Sequence, residues 1–228
     1  MAAGDRCKRE KAGRAPRAIA GSLLGVALVL VMATAVVEDF AHEWLGVSTF
    51  GLMAWHLWLN RRWWGSLKRG RCSPRRIVST ALDLALVALL VVMVVSALVL
   101  SRYAFSWLPA IPGASMARQF HLVCSQWIFV LAFAHCGLHI PRALDRRLRE
   151  LPFPGKAIAA LAGAAIAACA IWSLVDTQLV ASMLGQVRFA FVPEGKPLAL
   201  GILQYASIAA LVSGVVHAVA SASSARRV

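Results

Sequence analysis

The sequence predicts an all-α fold: a polytopic bundle of six transmembrane helices with both termini cytoplasmic. Three observations predict it. The 228 residues are 60% hydrophobic and only 15% charged, against about 45–50% and about 25% in soluble domains. The apolar residues gather in six runs, each near the roughly 20 residues that span about 30 Å of hydrocarbon. Finally, 20 of the 24 Lys and Arg residues fall in alternate connections, the asymmetry that orients helices with basic loops toward the cytoplasm. Such placement makes the net charge of +14 a matter of orientation and contact with anionic lipid, not nucleic acid.

Taken in order, residues 1–17 form a basic tail with Arg6, Lys8, Arg9, Lys11, Arg14 and Arg17, expected to be disordered. Segment one covers Ala18–Val37. Its Ala33-Thr34-Ala35 has the small-x-small form of a signal-peptide cleavage site, but the apolar run is long for that role and an uncleaved helix is expected. Glu38 and Asp39 mark a tight outer turn. Segment two, Phe40–Asn60, runs inward to Arg61-Arg62-Trp63-Trp64, where Trp58, Trp63 and Trp64 suit an interfacial aromatic belt. A basic loop with Gly65, Gly70 and Pro74 leads to segment three, Ile77–Leu100, the most aliphatic of the six.

An outer loop with Trp107, Pro109, Pro112 and Gly113 precedes segment four, Phe120–Ile140, which stops at Pro141. After a second basic loop (Arg142, Arg146, Arg147, Arg149, Lys156) comes segment five, Ala157–Leu179, rich in the small residues that let membrane helices approach closely. Segment six is Leu198–Ala218. Only Arg102, Arg118, Arg188 and Lys196 lie on the outer side. The expected organisation is a tail (1–17), a four-helix core (18–140) that holds the site described below, two further transmembrane helices (141–222) and a cytoplasmic tail (223–228).

The five cysteines give no disulfide framework: Cys7 and Cys72 fall in reducing cytoplasmic segments, while Cys124, Cys136 and Cys169 lie within helices. There is no Cys-x-x-Cys-His for covalent haem, no His-Glu-x-x-His, no phosphate-binding loop and no nucleophile elbow.

The histidines carry the chemistry. His42 and His56 are 14 residues apart in segment two, and His121 and His135 repeat that gap in segment four. Fourteen residues bring a helix back to within about 40° of the same face, about 21 Å along its axis. Segments two and four both run inward, so their histidines fall into two layers, His42 with His121 outside and His56 with His135 inside. A single membrane histidine is most often a packing or interfacial residue, but four in register on parallel helices point to a functional site. Two bis-His clamps suit two b-type haems, with no open iron position and hence electron transfer. Gly46 and Ser125, one turn past the outer pair, and Ala132 before His135 leave room for a porphyrin; Met53 is bulkier.

Other residues have bland readings beside functional ones. His139 offers an alternative inner ligand or a propionate partner, though an interfacial role is favoured, and His217 has no partner at matching spacing. Arg61, Arg62, Arg118 and Arg142 suit propionates or lipid headgroups. Asp83 is read as the partner of Arg75 or Arg76 rather than a proton relay or quinone site. Glu43 is a weak candidate for orienting His42, and Cys124 and Cys136 are read as small apolar filler.

The stretch from His42-Glu43-Trp44-Leu45-Gly46 to His56-Leu57-Trp58-Leu59-Asn60, followed by Arg61-Arg62-Trp63-Trp64, resembles the flavinylation-associated cytochromes of bacteria. The likeness is best from about Ala18 to Leu100 and extends through His139. It implies a membrane b-type cytochrome in the style of ferric reductases and respiratory cytochrome b subunits, working with flavin-carrying extracytosolic partners. The expected function is therefore a di-haem electron conduit in the bacterial inner membrane, alone or as an oxidoreductase subunit. Its donor would be a quinol or cytoplasmic reductant, and its acceptor an extracytosolic flavoprotein or other redox partner. The rival readings are a His-lined transition-metal permease and a non-catalytic scaffold or assembly protein.

Overall fold

A computed structural model describes residues 3–34, 39–67, 73–109, 111–141, 143–188 and 195–225. The outer-turn residue Glu38, the propionate candidate Arg142, Cys72 and the tail residues Arg226 and Arg227 lie outside the described residues, as does the side chain of Cys7.

The described chain is helical: α1 Ala3–Thr34, α2 Asp39–Leu59, α3 Arg62–Ser66, α4 Pro74–Leu100, α5 Ala114–His139, α6 Ala143–Glu150, α7 Phe153–Asp176, α8 Leu179–Met183 and α9 Leu198–Ala225. The boundaries follow local chemistry. Ser73 caps α4, its hydroxyl accepting from the Arg76 amide at 3.3 Å, with Pro74 in the first turn, where its missing N–H is harmless. Gly113 starts α5 from a left-handed conformation, φ 101°. Pro141 follows the end of that helix.

Five helices are long and apolar enough to cross a membrane: Ala15–Thr34, Pro74–Leu100, Ala114–His139, Phe153–Asp176 and Leu198–Ser223. They correspond to five of the six expected segments. The exception is α2. Its 21 residues would reach about 32 Å, but two histidines, Asp39 and Glu43 dilute its apolar character. Two further differences concern connections. The helix α1 begins at Ala3, in the basic stretch expected to be disordered, because Ala, Lys, Arg and Glu are good helix formers. Short helices α3, α6 and α8 occupy stretches expected to be loops.

Cross-contacts fix the directions. Arg17 Nε donates to Leu59 O and His42 Nδ1 meets Val31 O, so α1 and α2 form an antiparallel hairpin along most of their length. Ser96 meets His121, Asp83 meets His135 and Arg75 donates to Leu138 O, so α4 and α5 do the same. Phe50 packs against the cluster of Met93, Cys124 and Ile128, which seats α2 beside the α4–α5 hairpin. Tyr205 stacks edge-on against Phe129, and Ser213 Oγ donates to Phe133 O at 2.9 Å, so α9 runs parallel to α5. Between them Gly137 permits a close approach: a Cβ there would lie 2.5 Å from Ser213 O, so the helices would have to shift. Opposite α9 stands α7, with Ser173 3.4 Å from Ser207.

One end of the bundle therefore carries Arg17, Arg61, Arg75 and Arg149 and is called the basic end; the far end carries Arg102, Arg118 and Lys196. The interior holds small and polar residues (Ala33, Ala170, Ser173, Gln204) beside the bulky Phe129, Leu179 and Ile208, while many large apolar side chains face outward, Phe153 and Val175 being 83% and 76% exposed. Large apolar residues on the outside are expected where lipid is the solvent.

Candidate functional site

His42 sits in the first turns of α2, and His121 in the second turn of α5, both at the far end. Their rings are brought together, with centroids 6.1 Å apart and planes at 73°. The nitrogen roles follow from the partners. His42 Nδ1 lies 3.1 Å from the carbonyl of Val31; a carbonyl only accepts, so Nδ1 carries the proton and Nε2 keeps its lone pair. His121 Nδ1 lies 3.3 Å from Ser96 Oγ. That hydroxyl already donates to Met93 O at 2.9 Å, so it accepts from His121, and Nε2 is again the lone-pair nitrogen. Neutral imidazoles fixed through Nδ1, with Nε2 available, are the usual preparation of metal-ligating histidines.

A separation of 6.1 Å is within ordinary ring–ring contact. It is also the separation two imidazoles would have on either side of one ion: with each nitrogen about 2.0 Å from the ion and each ring centre about 1.1 Å behind its nitrogen, the centroids lie about 6.2 Å apart. One turn on, a Cβ added to Gly46 would meet nothing within 4 Å, so the flank of α2 beside His42 is open.

Toward the basic end the second layer is built differently. His135 on α5 stacks with His139, centroids 4.6 Å apart, rather than with His56. Its Nδ1 lies 2.7 Å from Asp83 Oδ1 on α4. The two are at ion-pair distance but without the alignment of a hydrogen bond, and the distance is what sets their electrostatic interaction. His56 Nε2 has a long 3.4 Å contact with Asn60 Nδ2, and its Nδ1 is buried without a hydrogen-bond partner. His135 and Asp83 lie within electrostatic reach of it. This layer thus gathers His56, His135, His139 and Asp83. Among the described residues, no group of three or more His, Cys, Asp and Glu is arranged to hold a bare metal ion.

Three expected roles change. Asp83 faces His135, and Arg75 instead donates to Leu138 O at 2.8 Å; the helix turn aims the carboxylate into the bundle. Glu43 does not orient His42. Its carboxylate accepts from the Ser101 hydroxyl and from the amides of Arg102, Tyr103 and Ala104, the last at 2.8 Å, tying α2 to the loop after α4. Neighbouring residues diverge by about 100° around a helix, which sends Glu43 away from its neighbour's ring. His217 is not isolated: its Nε2 lies 2.8 Å from Asp145 Oδ1, and Ser221 donates to the other oxygen, so α9 is moored to α6.

Of the arginines, Arg61 lies over the Trp58 ring, 4.3 Å from its centroid. Cys124 is buried among apolar side chains, as filler would be, whereas Cys136 is exposed. Sequence reasoning missed the two groups that hold the far-end imidazoles. The Val31 carbonyl is backbone and has no sequence signature. Ser96 had one, as a lone hydroxyl in the aliphatic run from Leu84 to Leu100.

No protein-family model, curated protein or solved structure matches the chain. The likeness to flavinylation-associated cytochromes accordingly rests on the His–Glu and His–Asn motifs themselves.

Proposed function

We propose that this chain is a b-type membrane cytochrome that passes electrons across a bacterial inner membrane through two haems. The observation that carries the proposal is the His42–His121 pair: rings 6.1 Å apart, each Nδ1 engaged, which leaves Nε2 as the lone-pair nitrogen of each. In this reading α2 is a sixth crossing. Its polar residues are the ligands and their surroundings, and its pairing with α1 from Arg17–Leu59 to Val31–His42 gives it the same depth as an apolar span.

His42 and His121 would hold one haem; His56 and His135 would hold the other, about 14 residues deeper on both helices. Bound haem supplies one-electron chemistry, and two axial imidazoles leave it no vacant position. The protein's part is to fix the imidazoles. Val31 and Ser96 hold the tautomers, α4 and α1 brace the two ligand helices, and the apolar outer faces keep water away. The basic end lies in the cytoplasm by the charge rule, so the deeper pair faces a cytoplasmic or quinol donor. The pair near α2's start faces an extracytosolic acceptor, with a flavoprotein as the partner the resemblance suggests.

Visible spectra of the detergent-purified chain, oxidised and then reduced, test this reading. A Soret band that shifts on reduction with sharp α and β bands, and two haems per chain by extraction, is the expected result. A colourless protein would refute it, and metal-dependent transport by that colourless protein would favour the permease.

A further inference from the structure

The two histidine layers differ in what stands behind the imidazoles. At the far end both supports are neutral, the Val31 carbonyl and the Ser96 hydroxyl. At the basic end the support is a carboxylate, Asp83, 2.7 Å from His135 Nδ1. Its side chain is only 17% exposed, so water screens it little. No hydrogen bond joins the two, so the effect is that of the charge alone: negative charge near an iron centre favours the more positive, oxidised state.

Other charges reach both layers, Arg75 the basic-end one and Asp39 and Glu43 the far-end one, but among the described residues Asp83 is the charge at ion-pair distance from a histidine of either layer. Arg75, the nearby cation, donates to Leu138 O rather than to Asp83. At the far end Glu43 is engaged by the Ser101 hydroxyl and three amides. Asp39 stands 3.7 Å from Arg102, with both side chains more than two-thirds exposed, where screening leaves such pairs little effect.

We propose that Asp83 is a positioning residue that makes the His56–His135 site the more reducing of the two, so that electrons run from the cytoplasmic face outward. The inference rests on the haem reading above and gives it a direction.

Potentiometric titration of the purified full-length chain tests it. Wild type should show two midpoints, and His42→Ala identifies the basic-end one as the midpoint that survives. That midpoint should be the lower of the pair. Asp83→Asn should raise it by at least the equivalent of a tenfold change in the equilibrium constant, about 59 mV for one electron, and leave the other unmoved. Should Asp83→Asn shed the basic-end haem, Asp83→Ser, which offers His135 a neutral hydroxyl like the one behind His121, is read by the same criteria. A basic-end midpoint that is the higher one, or that neutralising Asp83 does not raise, overturns the inference while leaving the cytochrome in place. A wild-type chain without haem overturns both.

Discussion

Gly137 is where two helices touch backbone to backbone, and replacing it gives the sharpest packing prediction. A Cβ at this position would meet Ser213 O at 2.5 Å, Val216 Cβ at 3.0 Å and Ser213 Cα at 3.1 Å. Comfortable contact is about 3.5 Å, so Gly137→Ala must move α5 and α9 apart by about 1 Å locally. Two of the three atoms belong to helix backbone and cannot swing aside. Overpacking of this kind costs about 1–3 kcal/mol, partly offset by the better helix propensity of Ala, up to about 1 kcal/mol. With the full offset about 0–2 kcal/mol remains, and at about 2–4 °C per kcal/mol for a chain of this size melting in detergent should fall by up to about 8 °C.

Gly214→Ala, on α9 next to the contacted Ser213, is the control. A Cβ there meets nothing within 4 Å, so the propensity gain stands alone and melting should stay level or rise. Thermal unfolding followed by intrinsic Trp fluorescence reads both. The reasoning fails if Gly137→Ala melts no lower than Gly214→Ala.

Three further outcomes follow from the same coordinates. Glu43→Gln removes the charge that gathers Ser101 and the amides of Arg102, Tyr103 and Ala104; about 1–3 kcal/mol is expected from such a loss, and faster proteolysis between residues 101 and 109 would report it. His217→Ala should loosen the α6–α9 mooring in a pH-dependent way. His217 and Ser221 hold the Asp145 carboxyl below its usual range, so the wild-type advantage should be present above about pH 4 and fade as pH falls through the lowered value. Melting of wild type and variant across that range checks it, and an advantage that grows on acidification would refute the sign. Ser96→Ala takes the acceptor from His121 Nδ1 and, if the proposed far-end haem is held there, should loosen it selectively, read as faster haem transfer to apomyoglobin from that site.

Much of the fold was legible because a membrane imposes a simple rule: long apolar runs, basic loops on one side. The meeting of His42 and His121 was legible too, since their place on two parallel helices follows from helix geometry, whereas the inner layer sets His135 against His139 and Asp83. What resisted reading depends on which way side chains lean once helices pack. Glu43 is next to His42 in sequence yet serves a loop 58 residues later. Asp83 could be recognised as costly and therefore paired, but Arg75, Arg76 and His135 were all within reach on paper, and only the α4–α5 register selects His135. Likewise α2 reads as a crossing by pattern and as a weaker one by hydropathy, because the residues that make it interesting are the ones that make it polar.

Counting haem in single-histidine variants addresses the central claim most directly. The paired arrangement predicts two haems per wild-type chain and one in both His42→Ala and His121→Ala, with the same spectral component missing from each. Loss of different components in those two variants, or retention of both, would mean that the imidazoles 6.1 Å apart do not share an iron.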